Sequence, residues 1–87
     1  MSFRVVLTRS AARDLQNLPD KVAPAIIEAL YGAVSENPHR AGGELSLQLK
    51  GRWSARRGEY RIVYEIDDVN EVVTVLRIGH RRDAYRP

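Results

Sequence analysis

At 87 residues the chain has room for one domain spanning 1–87, and an apolar fraction of 44% suits a packed core, not a disordered segment. The absence of cysteine excludes disulfides and thiolate metal sites, while the lack of a long apolar run or signal peptide points to a cytoplasmic protein with no membrane association. The net charge of +3 is modest, but twelve of the fourteen cationic residues are arginine, and eight of those twelve fall in the last 36 residues; a clustered guanidinium surface suits a polyanion partner.

Residues 3–8 read as a first strand, rich in β-branched side chains. Thr8 or Ser10 can cap a short helix through Asp14, Leu15 and Leu18, which Pro19 stops. Asp20 is the expected cap of a second helix, and Pro24 is tolerated in its first turns. Val22, Ala25, Ile26, Ala29, Leu30, Ala33 and Val34 recur at helical spacing and form one apolar stripe, with Tyr31 beside it and partly exposed. Asn37-Pro38 ends this helix. Residues 39–43 are expected to be a loop, because Gly42-Gly43 breaks regular structure. Leu45, Leu47 and Leu49 then alternate with polar residues, which suits a short extended segment.

Residues 53–64 read as a β-hairpin turning at Gly58-Glu59, where glycine supplies the positive φ of a tight turn. A two-residue turn pairs Arg57 with Tyr60, Arg56 with Arg61, Ala55 with Ile62, Ser54 with Val63 and Trp53 with Tyr64. One face then carries Trp53, Ala55, Tyr60, Ile62 and Tyr64; the other carries Ser54, Arg56, Arg61 and Val63. Facing arginines cost a few tenths of a kcal/mol, roughly. Two readings are open: the pair clamps a phosphate, whose oxygens match guanidinium forks, or both side chains splay into water.

Residues 67–71 form the next turn, and Val72 to Gly79 form an apolar last strand. Pairing Ile66 with Val72 places Arg61 opposite Arg77, and Arg81 follows on the same face. Arg56, Arg61, Arg77 and Arg81 are then expected on one side of the sheet. The order is β-α-α-β-β-β, an α+β domain in which a helical hairpin packs on a mainly antiparallel four-stranded sheet.

Several chemistries find no residues. His39 and His80 lack metal-ligand spacing, so no metal is expected. The Gly42-Gly43 segment lacks the lysine and following helix of a phosphate loop, and no cofactor is expected. Phosphodiester chemistry on RNA needs neither, because the 2′-hydroxyl can attack its own phosphate in line. The protein must orient the backbone, stabilise charge on the phosphoryl oxygens and move two protons. Tyr85 could stack on a base or orient a reacting group, or pack on the sheet edge. His80 could exchange a proton near neutral pH, or simply be hydrogen-bonded or solvated at the strand end.

The segments G-R-W-S-A-R-R-G-E-Y-R-I-V-Y-E-I-D-D (residues 51–68) and V-L-R-I-G-H-R-R-D-A-Y (residues 75–85) resemble the RelE-type branch of the RelE/ParE toxin superfamily. The likeness covers nearly the whole chain, and the ending from Gly79 to Tyr85 favours RelE-type over ParE-type members. The resemblance implies a compact ribonuclease-like α+β fold and a toxin of a type II toxin–antitoxin pair. Such toxins enter the ribosomal A site and cut mRNA by metal-independent 2′-hydroxyl attack. A cognate antitoxin blocks them, and the complex binds operator DNA. Position by position, Arg61 and Arg81 match the phosphate-stabilising arginines, Arg56 another basic site position and Tyr85 the C-terminal tyrosine. Arg52 falls where some relatives have lysine, and Ser54 stands where they have a second one. Glu44 lies near a glutamate that some relatives use as a base. Arg57, Arg77, Arg82 and His80 complete the expected RNA-binding surface. The alternative is a ParE-like inhibitor of DNA gyrase without nuclease activity.

Overall fold

The alternation of residues 53–64 produces the expected hairpin. The computed structural model describes residues 2–45 and 51–80. Strand β1 (Arg4–Leu7) leads into helix α1 (Arg9–Gln16), α2 (Ala23–Ala29) and a π-helical turn (Leu30–Val34). A helical turn α3 (Pro38–Ala41) and the strands β2 (Gly43–Glu44), β3 (Trp53–Arg57), β4 (Tyr60–Asp67) and β5 (Val72–His80) follow. Among the described residues the sheet has five strands in the order β1-β5-β4-β3-β2, one more than expected. The pairs β5–β4, β4–β3 and β3–β2 are antiparallel, and β1 joins β5 in parallel.

All five expected β3–β4 pairs are present, and Gly58 at the turn has φ +61°. The β4–β5 register differs from the expected one. Ile66 faces Val73 and Tyr64 faces Val75, then a bulge intervenes, and Val63 faces Arg77, Ile62 faces Ile78, Arg61 faces Gly79 and Tyr60 faces His80. Leu76 is the extra residue, and a bulge of this kind shifts every pair beyond it. Its carbonyl is taken by Thr8, whose hydroxyl donates to Leu76 O at 3.1 Å.

The helices also depart from expectation in three places. Thr8 caps α1 as read, accepting from Ala11 N–H at 3.1 Å. Asp20 does not cap α2; a turn through residues 20–22 delays the helix to Ala23, and Val22 at the N-cap offers no side-chain bond. Ile26, Ala29, Leu30 and Val34 are buried as the stripe requires, but Ala33 is exposed. The π turn explains this. Ser35 N–H reaches back to Leu30 O, so one extra residue fits in the turn and the buried side moves from Ala33 to Val34 and Ser35. The expected loop over 39–43 contains α3 and β2. Asn37 accepts from Arg40 N–H at 3.3 Å and Pro38 occupies the first turn, so the residues that end one helix start another. Leu47 and Leu49 lie outside the described residues, and Leu45 N–H bonds Arg52 O at 2.8 Å.

Ala11, Ile26, Leu30, Ala55, Ile62, Tyr64, Val73, Val75 and Ile78 share one core, so the helices cover the face carrying Ala55, Ile62 and Tyr64. Trp53 is half-buried against this core, with its ring edge-on to His39 at 5.1 Å between centroids. Tyr64 is fully buried and its hydroxyl donates to Pro38 O at 2.7 Å, which ties β4 to α3. Burial pushes the Tyr64 hydroxyl pKa from 10.0 up to about 12. The unfolded chain gives up this proton first. The group therefore costs nothing below pH about 10, and stability falls as pH rises from there to about 12. Tyr64→Phe is expected to lose about 1–2 kcal/mol at neutral pH, since a buried carbonyl loses its donor, and to lack this share of the alkaline decline. Denaturant titrations at pH 8 and pH 11 on both proteins check both effects.

Candidate functional site

The face of the sheet opposite the helices carries the facing arginines. Arg56 and Arg61 are direct strand partners, and Ser54 faces Val63 two pairs along, on the same face. Arg56 is exposed and its Nε donates to Gly58 O at 3.2 Å. Arg61 is half-buried on β4, which has strands on both sides. Among the described residues its guanidinium has no carboxylate within ion-pair distance and no hydrogen-bond acceptor. A half-buried, unpaired guanidinium held next to a second one is poised for an oxyanion. Arg56→Ala should leave the thermal midpoint unchanged or slightly higher, within about 0.5 kcal/mol, because the like-charge pair is relieved. A clear drop in a thermal melt would mean that the bond to Gly58 outweighs the repulsion.

The corrected register changes what stands beside Arg61. Its β5 partner is Gly79 and not Arg77, so no side chain flanks it on that strand. Arg77 belongs to the same face through its partner Val63, but it reaches round the sheet edge to α1. Its Nε meets Asp14 Oδ2 at 2.8 Å, and Nη2 lies 3.4 Å from Oδ1. These bonds, and the nearby negative charge, raise the Arg77 pKa further above its ordinary value.

Other expected site residues lie elsewhere. Arg57 is the partner of Tyr60, on the helix-covered face, and its Nη2 pairs with Glu28 Oε1 at 2.8 Å. His80 shares that face; its ring stands edge-on to Tyr60, with centroids 5.7 Å apart. Glu44 pairs with Trp53 and so belongs to the Trp53 side, away from Arg56 and Arg61. Arg52 precedes β3 and is exposed; strand alternation groups it with Ser54 and Arg56. Arg81, Arg82 and Tyr85 lie outside the described residues. Sequence reading missed Asp14, which it assigned only to a helix. Nothing local marks it, because its partners lie more than 60 residues away. Among the described residues no group of His, Asp and Glu could hold a metal ion.

The chain and its fold have close parallels. A family model described as the ParE toxin of the type II toxin–antitoxin system parDE matches residues 5–85. The chain is 48% identical to Toxin RelE of Mycobacterium tuberculosis over 84 residues, covering 97% of this chain and 87% of that protein. It is 44% identical to Toxin RelG of the same organism over 86 residues, covering 99% of each. The crystal structure of the toxin–antitoxin complex RelBE2 from M. tuberculosis contains a similar chain, with a TM-score of 0.88 and 42% identity over 93% of this chain and 100% of that one. The toxin of the Escherichia coli RelBE complex shares the fold, with a TM-score of 0.75 at 20% identity over 90% of this chain and 95% of that one. With a family model spanning residues 5–85 and relatives this similar over 87% or more of their length, the chain belongs to the RelE/ParE family as a RelE-type toxin of a type II toxin–antitoxin system.

Proposed function

We propose that this toxin is a ribosome-dependent endoribonuclease that cuts mRNA in the A site and so stops translation. The observation that carries the reading is the Arg56–Arg61 pair on the face without helices, with Arg61 half-buried and unpaired among the described residues. In the reaction, the ribose 2′-oxygen forms a bond to phosphorus and the bond from phosphorus to the 5′-oxygen breaks. The products are a 2′,3′-cyclic phosphate and a 5′-hydroxyl. One proton leaves the 2′-hydroxyl and one reaches the departing oxygen. Charge that builds on the non-bridging oxygens is met by Arg61, with Arg56 facing it across the strands, and by Arg81. A guanidinium carries only hydrogen-bond donors and no acceptor, so these groups supply charge and orientation, not proton abstraction. Tyr85 orients the reacting nucleotide, and Arg52 extends the grip along the RNA backbone on the same face.

A cognate antitoxin is the second partner. The similar M. tuberculosis chain was solved in a toxin–antitoxin complex, and this basic toxin suits an acidic wrapping segment. Operator DNA is reached only through that complex. Among the described residues no helix is long and apolar enough to cross a membrane, and the ribosome is met in the cytoplasm.

The gyrase reading has one observation in its favour, the match to the ParE toxin model. A translation assay with purified toxin separates the two. Messenger RNA cut within the A-site codon supports the nuclease. Intact message together with gyrase-dependent breaks in DNA overturns it.

A further inference from the structure

Strand β5 runs past its neighbour. β1 stops at Leu7, opposite Val75, and the chain turns into α1 at Thr8, whereas β5 continues to His80. Residues 76–80 therefore have no β1 partner on their outer edge. Two side chains from the start and the last turn of α1 stand in for it. Thr8 Oγ1 donates to Leu76 O at 3.1 Å, and Asp14 Oδ2 accepts from Ile78 N–H at 2.9 Å. The Asp14 side chain is only 18% exposed, and the oxygen that holds the amide also accepts from Arg77 Nε. Charge-assisted bonds in such a sheltered place are stronger than those between neutral groups.

The inner edge of the same overhang borders the arginine site. Gly79, next to Ile78, is the strand partner of Arg61, and Arg81 follows His80 by one peptide bond. We infer that Asp14 is a positioning residue, which holds the Ile78 amide as a missing edge strand would and so fixes the end of β5 against β4 at the level of Arg61. A strand end without such a tether frays. A misplacement of about 1 Å at a site that stabilises charge can cost on the order of a hundredfold in rate. The role in catalysis rests on the nuclease reading; the role in holding the overhang does not.

Asp14→Asn keeps an oxygen for the Ile78 amide and removes the charge, while Asp14→Ala removes both. Cleavage of ribosome-bound mRNA is measured for wild type and both variants, at a temperature where thermal melts show all three folded. Asp14→Ala is expected to lower kcat at least tenfold with KM changed less than threefold, and to speed exchange of the Ile78 amide hydrogen at least tenfold. Asp14→Asn is expected to stay within threefold of wild type in both. An Asp14→Ala protein as active as wild type overturns the inference and leaves the nuclease reading standing, as does an Asp14→Asn protein that falls equally far. If wild type itself does not cut, the nuclease reading fails, and the positioning role is judged by titrating inorganic phosphate against the Arg61 Nε–H signal in NMR. Binding at least threefold weaker in Asp14→Ala than in wild type and Asp14→Asn supports the tether. Equal binding, or no phosphate response in wild type, overturns it.

Discussion

Arg61→Ala should abolish growth arrest in cells and lower the rate of mRNA cleavage by a factor on the order of 10²–10³, the usual loss when one preorganised donor to a reacting oxyanion is removed. Arg61 is suited to such a large effect by its setting. Its backbone is paired to Arg56 on one side and to Gly79 on the other, so strands on both sides fix its Cα. Its side chain is half-buried and meets no carboxylate among the described residues, so its charge is not already neutralised. Arg57 and Arg77 are different, because Glu28 and Asp14 occupy them. The Arg61→Ala protein should remain folded, since removing one of two facing cations costs the sheet little. Circular dichroism and a thermal melt establish the fold, and a primer-extension assay on ribosome-bound message reads the cut. A folded Arg61→Ala protein with undiminished toxicity would place the chemistry elsewhere on the molecule.

Gly42→Ala should destabilise the protein by about 3 kcal/mol, at the upper end of what overpacking costs, and lower the thermal midpoint by roughly 10–20 °C for a domain of this size. The reason is close approach and not backbone freedom, for Gly42 has an ordinary extended φ of −143°. A Cβ built there would overlap the Ser54 carbonyl and come within 2.7 Å of the Tyr64 hydroxyl. Neither neighbour can yield cheaply. Ser54 is locked in the sheet between Gly43 and Val63, and the buried Tyr64 hydroxyl already donates to Pro38 O. Gly43→Ala is the internal control. Among the described residues nothing lies within 4 Å of a Cβ there, so its effect should stay within about 0.5 kcal/mol. Equal melts for the two variants would show that β2 and α3 shift freely.

The hairpin was legible because two signals agree: strict alternation over Trp53–Tyr64 and a glycine at the turn. The facing of Arg56 and Arg61 follows from that register alone. The β4–β5 register was not legible. Its bulge is fixed partly by Thr8, a residue 68 positions away from the carbonyl it binds. The same limit hid Asp14, whose contacts exist only once α1 lies beside β5. The α3 turn is a different case. Asn37 and Pro38 carry both a cap and a first-turn proline, but the pair reads equally well as the end of α2, and local pattern does not say that both are true. Strand alternation puts Arg57, the partner of Tyr60, on the face opposite the facing pair. The same count, with Arg77 and Arg81 expected on the arginine face, puts His80 on the Tyr60 side, where it stands.

The parallel pairing of β1 with β5 joins Arg4 to Val72, two positions 68 residues apart, and among the described residues β1 has no other strand beside it. A nascent chain that has made only the first four strands must leave its N-terminal strand unzipped and the flank of Arg61 bare. Such long-range closure is slow and comes late. On the nuclease reading proposed above, a chain still lacking β5 should not cut the message it is being made from, and this interval gives an antitoxin time to engage it.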